Sequence, residues 1–452
     1  MNESKLIKSF TIKRLFGTTD LTIPFEDRVK ILIGENGIGK TQVLNMVYYT
    51  LTKKFERLID YVFHSIIVEF GDGKKIEILK NHIENFSFMG DSIVSEVVKN
   101  IGHERFLELR DYAIHSRLSK FELYESPLFQ EIQKEFSISP TKFWGAVSAF
   151  EYKRHALFTA VIAEKWQEII DKHLTDYQIL YFPTYRLVEV GLHNLGYDEE
   201  KLSINQEDTR LIHFGMDDVS RRFNELTQSI ERFSKNGLAE ISGEILSQLV
   251  KGLPSIDKNF LDTINQQDID IILARVGDRI TVEDKKRIKT IVTTKEIQEK
   301  DYSMLYFLQK LINVYDQQKE LDQSIKDFRN ICNKYLVNKK IIYDESSIKI
   351  YVQPDGSTDE LHLNKLSLGE KQIVSIFSKI YLSSSESKFI VLFDEPELSL
   401  SIFWQKELLP DIYDSGKCQF LLAVTHSPFI FDNNLEKYAI GLNEYFEPVK
   451  SH

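Results

Sequence analysis

The sequence predicts a mixed α/β fold: a sheet of buried strands with flanking helices, interrupted by a mainly α-helical insertion. Near the start, the apolar run Val29 to Ile33 stops at Gly34, and beyond a glycine-rich loop Val43, Leu44, Met46, Val47 and Leu51 recur at helical spacing. Near the end, Phe389 to Phe393 and Phe420 to Val424 are short continuous apolar runs, the pattern of parallel strands buried on both faces. Between these two regions the periodicity is mostly helical.

Taken in order, Leu6 to Ile12 and Leu21 to Phe25 are strand-like, and Ser65 to Phe70 with Lys75 to Leu79 flank Gly71-Asp72-Gly73, the composition of a hairpin. From Ser92 to about Ile170 the pattern is helical. A second buried strand, Gln178 to Phe182, is ended by Pro183, and the polar stretch Asn194 to Asp208 reads as a loop. A helical region follows from Asp217 to about Leu336. Inside it Leu305, Leu308, Ile312 and Tyr315, then Leu321, Ile325, Phe328 and Tyr335, form amphipathic stripes with a phase slip near Gln317. That pattern is too short and irregular for a long coiled coil and predicts an ordinary packed helix pair. Ile341 to Asp344, Ser347 to Val352 and Glu360 to Leu363 read as short strands, and a helix follows Gly369.

Composition narrows the function classes. The 452 residues are 42% hydrophobic and 28% charged, an ordered globular composition long enough for several domains. A net charge of −11 argues against coating nucleic acid over the whole surface, so any such contact must be a local patch, for which Lys285, Lys286, Arg287, Lys289 and Lys295 are the candidates. Clustered lysines are more often a solvated helix face. Cys332 and Cys418 lie far apart and form neither a disulfide framework nor a Cys-based zinc site, which fits a reducing compartment. The first residues lack an apolar signal core, and no run approaches the roughly 20 apolar residues of a spanning helix, so the expected location is cytoplasmic.

Three motifs carry chemistry. Gly34-Glu35-Asn36-Gly37-Ile38-Gly39-Lys40-Thr41 fits GxxxxGK[ST] between a strand and a helix, the context that makes the pattern credible. Glycines let successive N–H groups face phosphates, and the helix N-terminus adds a favourable dipole. Lys40 would reach the β and γ phosphates and Thr41 would offer a hydroxyl to Mg²⁺. Asn36, Gly37, Ile38, Gly39, Lys40, Thr41 and Gln42 are therefore the expected ATP-binding residues. The run FIVLFDEPE, residues 389 to 397, delivers two adjacent carboxylates at the end of a buried strand, where ligands bind in α/β sheets. Asp394 would hold Mg²⁺ and Glu395 would act as general base on the attacking water. In Leu366-Ser367-Leu368-Gly369-Glu370-Lys371-Gln372, Ser367 is placed as a helix N-cap and Glu370 as its capping-box partner.

With these residues the sequence resembles the ABC-type ATPase heads, a P-loop class with SMC-like and OLD-like branches. Their LSxGE(K/R/Q)Q signature precedes the Walker B carboxylates and points its serine and glycine, here Ser367 and Gly369, at the γ-phosphate held by another subunit. The resemblance extends to a D-loop-like Leu398-Ser399-Leu400-Ser401 and to Thr425-His426-Ser427-Pro428, where the family carries its switch histidine, which implies that His426 senses the γ-phosphate. No glutamine stands in an obvious Q-loop place. The segment Pro183-Thr184-Tyr185-Arg186, with Glu189 behind it, is the candidate for that region, and Arg186 the candidate to approach nucleotide or partner.

The resemblance implies an ATPase head in two lobes. Residues 1–90 form the N-terminal lobe with the P-loop, and 339–452 the C-terminal lobe with signature, Walker B pair and switch histidine. Residues 91–175 form a helical insertion, 176–216 return to the head, and 217–338 form a second helical insertion or short arm. The long stretch between Thr41 and Leu366 disfavours a compact transporter ATPase. It lacks the coiled coil of a chromosome-organising or break-repair head and the CxxC hook of the latter, and the short stretch after His426 leaves no room for an appended nuclease domain. IKRLFG (12 to 17), LYFPTYRLVE (180 to 189), HFGMDDV (213 to 219), KLSLGEKQI (365 to 373) and LFDEPELSLS (392 to 401) make it similar to the PtuA family of Septu and retron-associated antiphage ATPases. That likeness implies a head-to-head dimer or higher oligomer working beside a small HNH nuclease, PtuB, with nucleic acid reached through the complex. The competing expectation is a stand-alone DNA repair or loading ATPase of the RecF/SMC-like class with DNA-stimulated hydrolysis.

Overall fold

The computed structural model describes residues 6–87, scattered positions between 105 and 133, and 156–184, 215–252, 260, 264–277, 280–295, 298 and 301–449. Arg186, Glu189, the expected loop 194–208 and most of 91–155 lie outside the described residues. The strands are β1 (Ile7–Leu15), β2 (Thr19–Pro24), β3 (Val29–Ile33), β4 (Ser65–Phe70), β5 (Lys75–Leu79), β6 (Tyr177–Phe182), β7 (Lys339–Asp344), β8 (Lys349–Pro354), β9 (Lys388–Asp394), β10 (Cys418–Thr425), β11 (Ala439–Gly441) and β12 (Phe446–Pro448). The α-helices used below are α1 (Lys40–Leu51), α2 (Lys80–Ser87), α3 (Ala156–Leu174), α4 (Met216–Lys251), α5 (Gln266–Arg275), α6 (Val282–Thr294), α7 (Tyr302–Asp316), α8 (Lys319–Cys332), α9 (Leu368–Tyr381) and α10 (Ile402–Tyr413).

A parallel sheet in the order β11-β3-β10-β9-β6 is the centre of the molecule. Successive strand residues point to opposite faces, and the apolar runs divide accordingly. Val29, Ile31, Val391, Phe393, Leu421 and Ala423 face a core shared with α4, α8, α9 and α10. Leu32, Ile390, Leu392, Leu422 and Val424 face a second core shared with α1, α3 and an antiparallel sheet in the order β12-β2-β1-β4-β5. Continuous apolar sequence in β9 and β10 is thus the consequence of burial on both faces. The expected mixed α/β fold with flanking helices and helical inserted segments is present.

Local chemistry accounts for most boundaries. Asp72 accepts a bond from the Lys74 N–H at 2.9 Å and Gly73 takes φ +84°, which closes the β4–β5 hairpin. The phase slip near Gln317 is a helix break: α7 ends at Asp316 and α8 starts at Lys319. The strand expected over Glu360 to Leu363 is reduced to one bridge between Leu361 and Val352. There His362 turns the chain by accepting a bond from the Asn364 N–H, and a 3₁₀ turn follows over Leu363–Lys365.

The helix break carries a buried polar knot. Arg275, at the end of α5, donates to both Asp322 oxygens at 2.7 and 2.9 Å, to Gln318 Oε1 at 2.7 Å and to the Glu345 carbonyl at 3.0 Å. The Tyr343 hydroxyl of β7 also donates to Asp322, which is 1% exposed. One carboxylate therefore joins the inserted helices to the C-terminal hairpin. Asp322→Ala would leave a buried guanidinium and a buried hydroxyl without their acceptor. It is expected to cost about 3–5 kcal/mol, read as a lower urea midpoint at pH 7.

Candidate nucleotide site

The parallel strands end on the same edge, and the chemistry collects there at the ends of β3, β6, β9 and β10. The turn from β3 into α1 needs Gly37 at φ +90° and Gly39 at φ +97°, conformations that disfavour any other residue. At Gly39 a β-carbon would also stand 2.5 Å from the Phe16 ring. Ile38 packs on the core, whereas Asn36, Gly37 and Gln42 are exposed. Lys40 is 5% exposed; its ammonium donates to the carbonyls of Gly34 at 2.7 Å and Glu35 at 3.2 Å, and lies 3.4 Å from Glu395 Oε1.

Asp394 ends β9 between two hydroxyl donors. Thr41 Oγ1 donates to its Oδ1 at 3.0 Å and Thr184 Oγ1 to its Oδ2 at 2.7 Å. Burial pushes the Asp394 carboxyl above the ordinary carboxylate range, opposed by those two hydroxyls. Thr184 follows β6, which pairs with β9 in register Phe182 to Phe393, so the strand pairing delivers it to the site. Tyr181 anchors the same strand to α1, its hydroxyl donating to Asn45 Oδ1 at 2.6 Å and its ring stacked on Tyr48.

Glu395 takes φ +49°, a left-handed conformation that costs a non-glycine residue about 1–2 kcal/mol. Its N–H is held by the Val424 carbonyl at 2.9 Å, which turns the side chain toward the end of β10. There His426 Nδ1 hydrogen-bonds Glu395 Oε2 and lies 3.2 Å from Glu397 Oε1. Burial works against ionisation of Glu395, yet hydrogen bonds from Glu397 and His426 and the charge of Lys40 hold its carboxyl below the usual range. Burial, reinforced by Glu395, pushes Glu397 the other way, to about 7. Adjacent carboxyls with separated proton affinities are the pattern of an acid–base site.

Ser367 and Gly369 stand elsewhere. Ser367 caps α9 in a capping box, with its N–H donating to Glu370 Oε2 at 2.8 Å and Lys339 holding the other Glu370 oxygen at 2.7 Å. A β-carbon on Gly369 would lie 2.4 Å from the Ser399 carbonyl, so the signature is packed on the D-loop-like turn. Among the described residues no hydrogen bond or ion pair joins Ser367 or Gly369 to the P-loop. The structure thus gathers Lys40, Thr41, Asp394, Glu395 and His426 and leaves the signature serine exposed on its own helix end.

Two residues at this site escape sequence reasoning, Thr184 and Glu397. Nothing local marks the hydroxyl of Thr184 within Pro183 to Arg186, and Glu397 reads as the tail of an acidic strand end. In the basic cluster on α6, Arg287 is paired with Asp301 at 3.0 Å and Lys289 with Asp270 at 2.7 Å, which leaves less free positive charge than the sequence suggests.

The donor set fits a magnesium nucleotide. Asp394 offers hard carboxylate oxygens held by hydroxyls, the two left-handed glycines are in place, and a buried lysine ammonium rests on loop carbonyls beside them.

Among solved structures the chain is similar to the Smc head domain with an extended coiled coil bound to the C-terminal domain of ScpA from Pyrococcus furiosus, at 13% identity, 98% and 95% coverage of the two chains and a TM-score of 0.33. It is also similar to an Smc head bound to the C-winged helix domain of ScpA, at 12% identity, 94% and 90% coverage and a TM-score of 0.32. An Smc head domain with a coiled coil and joint from Pyrococcus yayanosii gives 15% identity, 94% and 93% coverage and a TM-score of 0.31. No curated protein matches the sequence. Among the described residues no helix is long and apolar enough to cross a membrane. The model of the AAA ATPase domain family matches residues 6–431, nearly the whole chain, and the chain belongs to that family.

Proposed function

We propose that the chain binds and hydrolyses ATP as an ABC-type head, pairs with a second copy around the nucleotide, and through that pairing assembles or regulates a partner nuclease in antiphage defence. The observation that carries the catalytic part is the meeting of the two ends of the chain: Thr41 of the P-loop hydrogen-bonds Asp394, and Lys40 lies 3.4 Å from Glu395. Thr41 and Asp394 would hold Mg²⁺, which when bound supplies charge neutralisation at the phosphates. Lys40 binds the phosphates, Glu395 orients the water and takes its proton, and His426 holds Glu395 from the other side.

The placement of Ser367 and Gly369 supports pairing. An exposed serine at the N-terminus of α9 is free to meet phosphate from a second copy, where the helix dipole favours the anion. Closing two heads around nucleotide would move the inserted helices, which the Arg275–Asp322–Tyr343 knot ties to the head. The likeness to the PtuA family, with its HNH partner PtuB, supports the nuclease and defence parts.

The test is affinity purification of the chain from its native gene neighbourhood, with and without ATP, followed by mass spectrometry and size-exclusion chromatography. A small HNH protein at fixed stoichiometry and an ATP-dependent rise in mass are expected. A chain that comes alone and stays monomeric with ATP overturns the partner and pairing parts. DNA-stimulated turnover by that lone chain would move the repair or loading ATPase ahead.

A further inference from the structure

Glu397 stands behind the two residues assigned to hydrolysis, Glu395 and His426. Its side chain is sealed, 4% exposed. Oε1 accepts three bonds, from Thr425 Oγ1 at 2.7 Å and from the N–H groups of His426 and Ser427 at 3.1 Å each. All three donors belong to the end of β10, so this one oxygen clamps the loop that carries His426. Ser427 is further held through its hydroxyl, which donates to Gln405 Oε1 at 2.8 Å. Oε2 is out of contact with solvent and meets no donor, and the Glu395 carboxyl neighbours the Glu397 carboxyl. An ionised Glu397 would leave Oε2 a buried oxygen with partial charge and no donor, and would set two carboxylates side by side, an arrangement costing several kcal/mol. A proton on Oε2 removes that conflict, because a neutral acid accepts at one oxygen and donates from the other.

From this geometry, and resting on the hydrolytic reading of the site, we infer that Glu397 is a positioning residue. Its neutral carboxyl group fastens the His426 loop through Oε1 and donates from Oε2 to Glu395, so that Glu395 is held as an ionised, oriented base. Burial, with Glu395 beside it, raises the proton affinity of the Glu397 carboxyl, the direction this role requires. The left-handed φ of Glu395 explains why a positioning device is needed, since a strained residue keeps its conformation only where its surroundings over-determine it. Glu395, Glu397 and His426 also offer ligand atoms within 4.8 Å of one another. A cation held there would need Glu397 ionised, and so makes the opposite prediction for its amide.

The discriminating variants are Glu397→Gln and Glu397→Ala, measured for steady-state ATP hydrolysis in the full chain with Mg²⁺. Glutamine reproduces the neutral acid, its carbonyl accepting from the loop and its NH₂ donating to Glu395. We expect E397Q to keep kcat within about threefold of wild type, and E397A to lose about tenfold or more in kcat while KM moves by less than about threefold. Should E397A fail to fold, Thr425→Val removes one donor to Oε1 and is expected to lower kcat in the same direction by about two- to fivefold.

Equal losses in E397Q and E397A would overturn the inference in favour of a charged Glu397, and an unchanged kcat in E397A would overturn it outright. Failure of the hydrolytic reading looks different, because then Glu395→Gln itself leaves turnover unchanged. An independent readout uses protein labelled with ¹⁵N-histidine, the His426 signal being assigned by its loss in His426→Gln. The Nδ1 resonance of His426 should move in E397A and stay in E397Q, and a signal unmoved in E397A sinks the inference even where turnover is too slow to measure.

Discussion

Glu395→Gln is expected to lower kcat for ATP hydrolysis by about 10²–10⁴-fold while ATP binding is retained, the range that general-base catalysis contributes. The expectation follows from where its two oxygens go. Oε1 lies 3.4 Å from the Lys40 ammonium and Oε2 is bonded by His426, so the side chain is fixed at the meeting point of P-loop and β10. An amide keeps the size and most of the contacts but cannot take a proton from water. Losing its negative charge also frees Lys40 from one of its competitors for phosphate, so nucleotide affinity should stay level or rise. Single-turnover hydrolysis and equilibrium binding of a fluorescent ATP analogue separate the two effects. Turnover within threefold of wild type would show that Glu395 is not the base and would return the Glu395–Lys40 pair to a structural role.

Much of this site was legible because its parts are local patterns. A strand, a glycine loop and a helix lie within Val29 to Leu51, and the five apolar residues before Asp394 announce a strand end carrying carboxylates. Thr184 was not legible, because its importance comes from β6 lying beside β9, a pairing between segments 211 residues apart at Tyr177 and Lys388 that no local signal encodes. Glu397 was hidden for a related reason: its donors are Thr425, His426 and Ser427, which β10 brings alongside β9. In the basic cluster, the countercharges Asp270 and Asp301, which pair Lys289 and Arg287, lie on neighbouring segments and only folding brings them near. Periodicity located the α7–α8 break near Gln317 but could not show that Gln318 and Asp322 there hold Arg275. Elements set by a contiguous pattern could be read, and those set by strand pairing or by a distant countercharge could not.

Lys40→Ala is expected to weaken ATP binding by about 10²–10⁴-fold, as the loss of charge-assisted bonds to the phosphates at about 1.5–3 kcal/mol each implies for two such bonds. In the protein Lys40 is buried at 5% exposure yet remains charged-partnered: two loop carbonyls accept from it and Glu395 stands across from it. Those partners make it a preorganised ammonium that need not be desolvated when the phosphates arrive. Alanine removes the cation and leaves the Gly34 and Glu35 carbonyls facing the same space, so the loop changes from attractive to repulsive for an anion. The backbone turn itself depends on Gly37 and Gly39 rather than on the lysine side chain, and the fold should survive. A melting temperature close to wild type, together with lost nucleotide binding in calorimetry, is the expected pair of results. Because pairing of two heads is proposed to need nucleotide between them, the same variant should also remain at the nucleotide-free mass when ATP is added. Retained ATP affinity in a folded Lys40→Ala would mean that the loop is not the phosphate cradle, whereas lost affinity with unchanged ATP-dependent assembly would separate assembly from nucleotide and remove the switch.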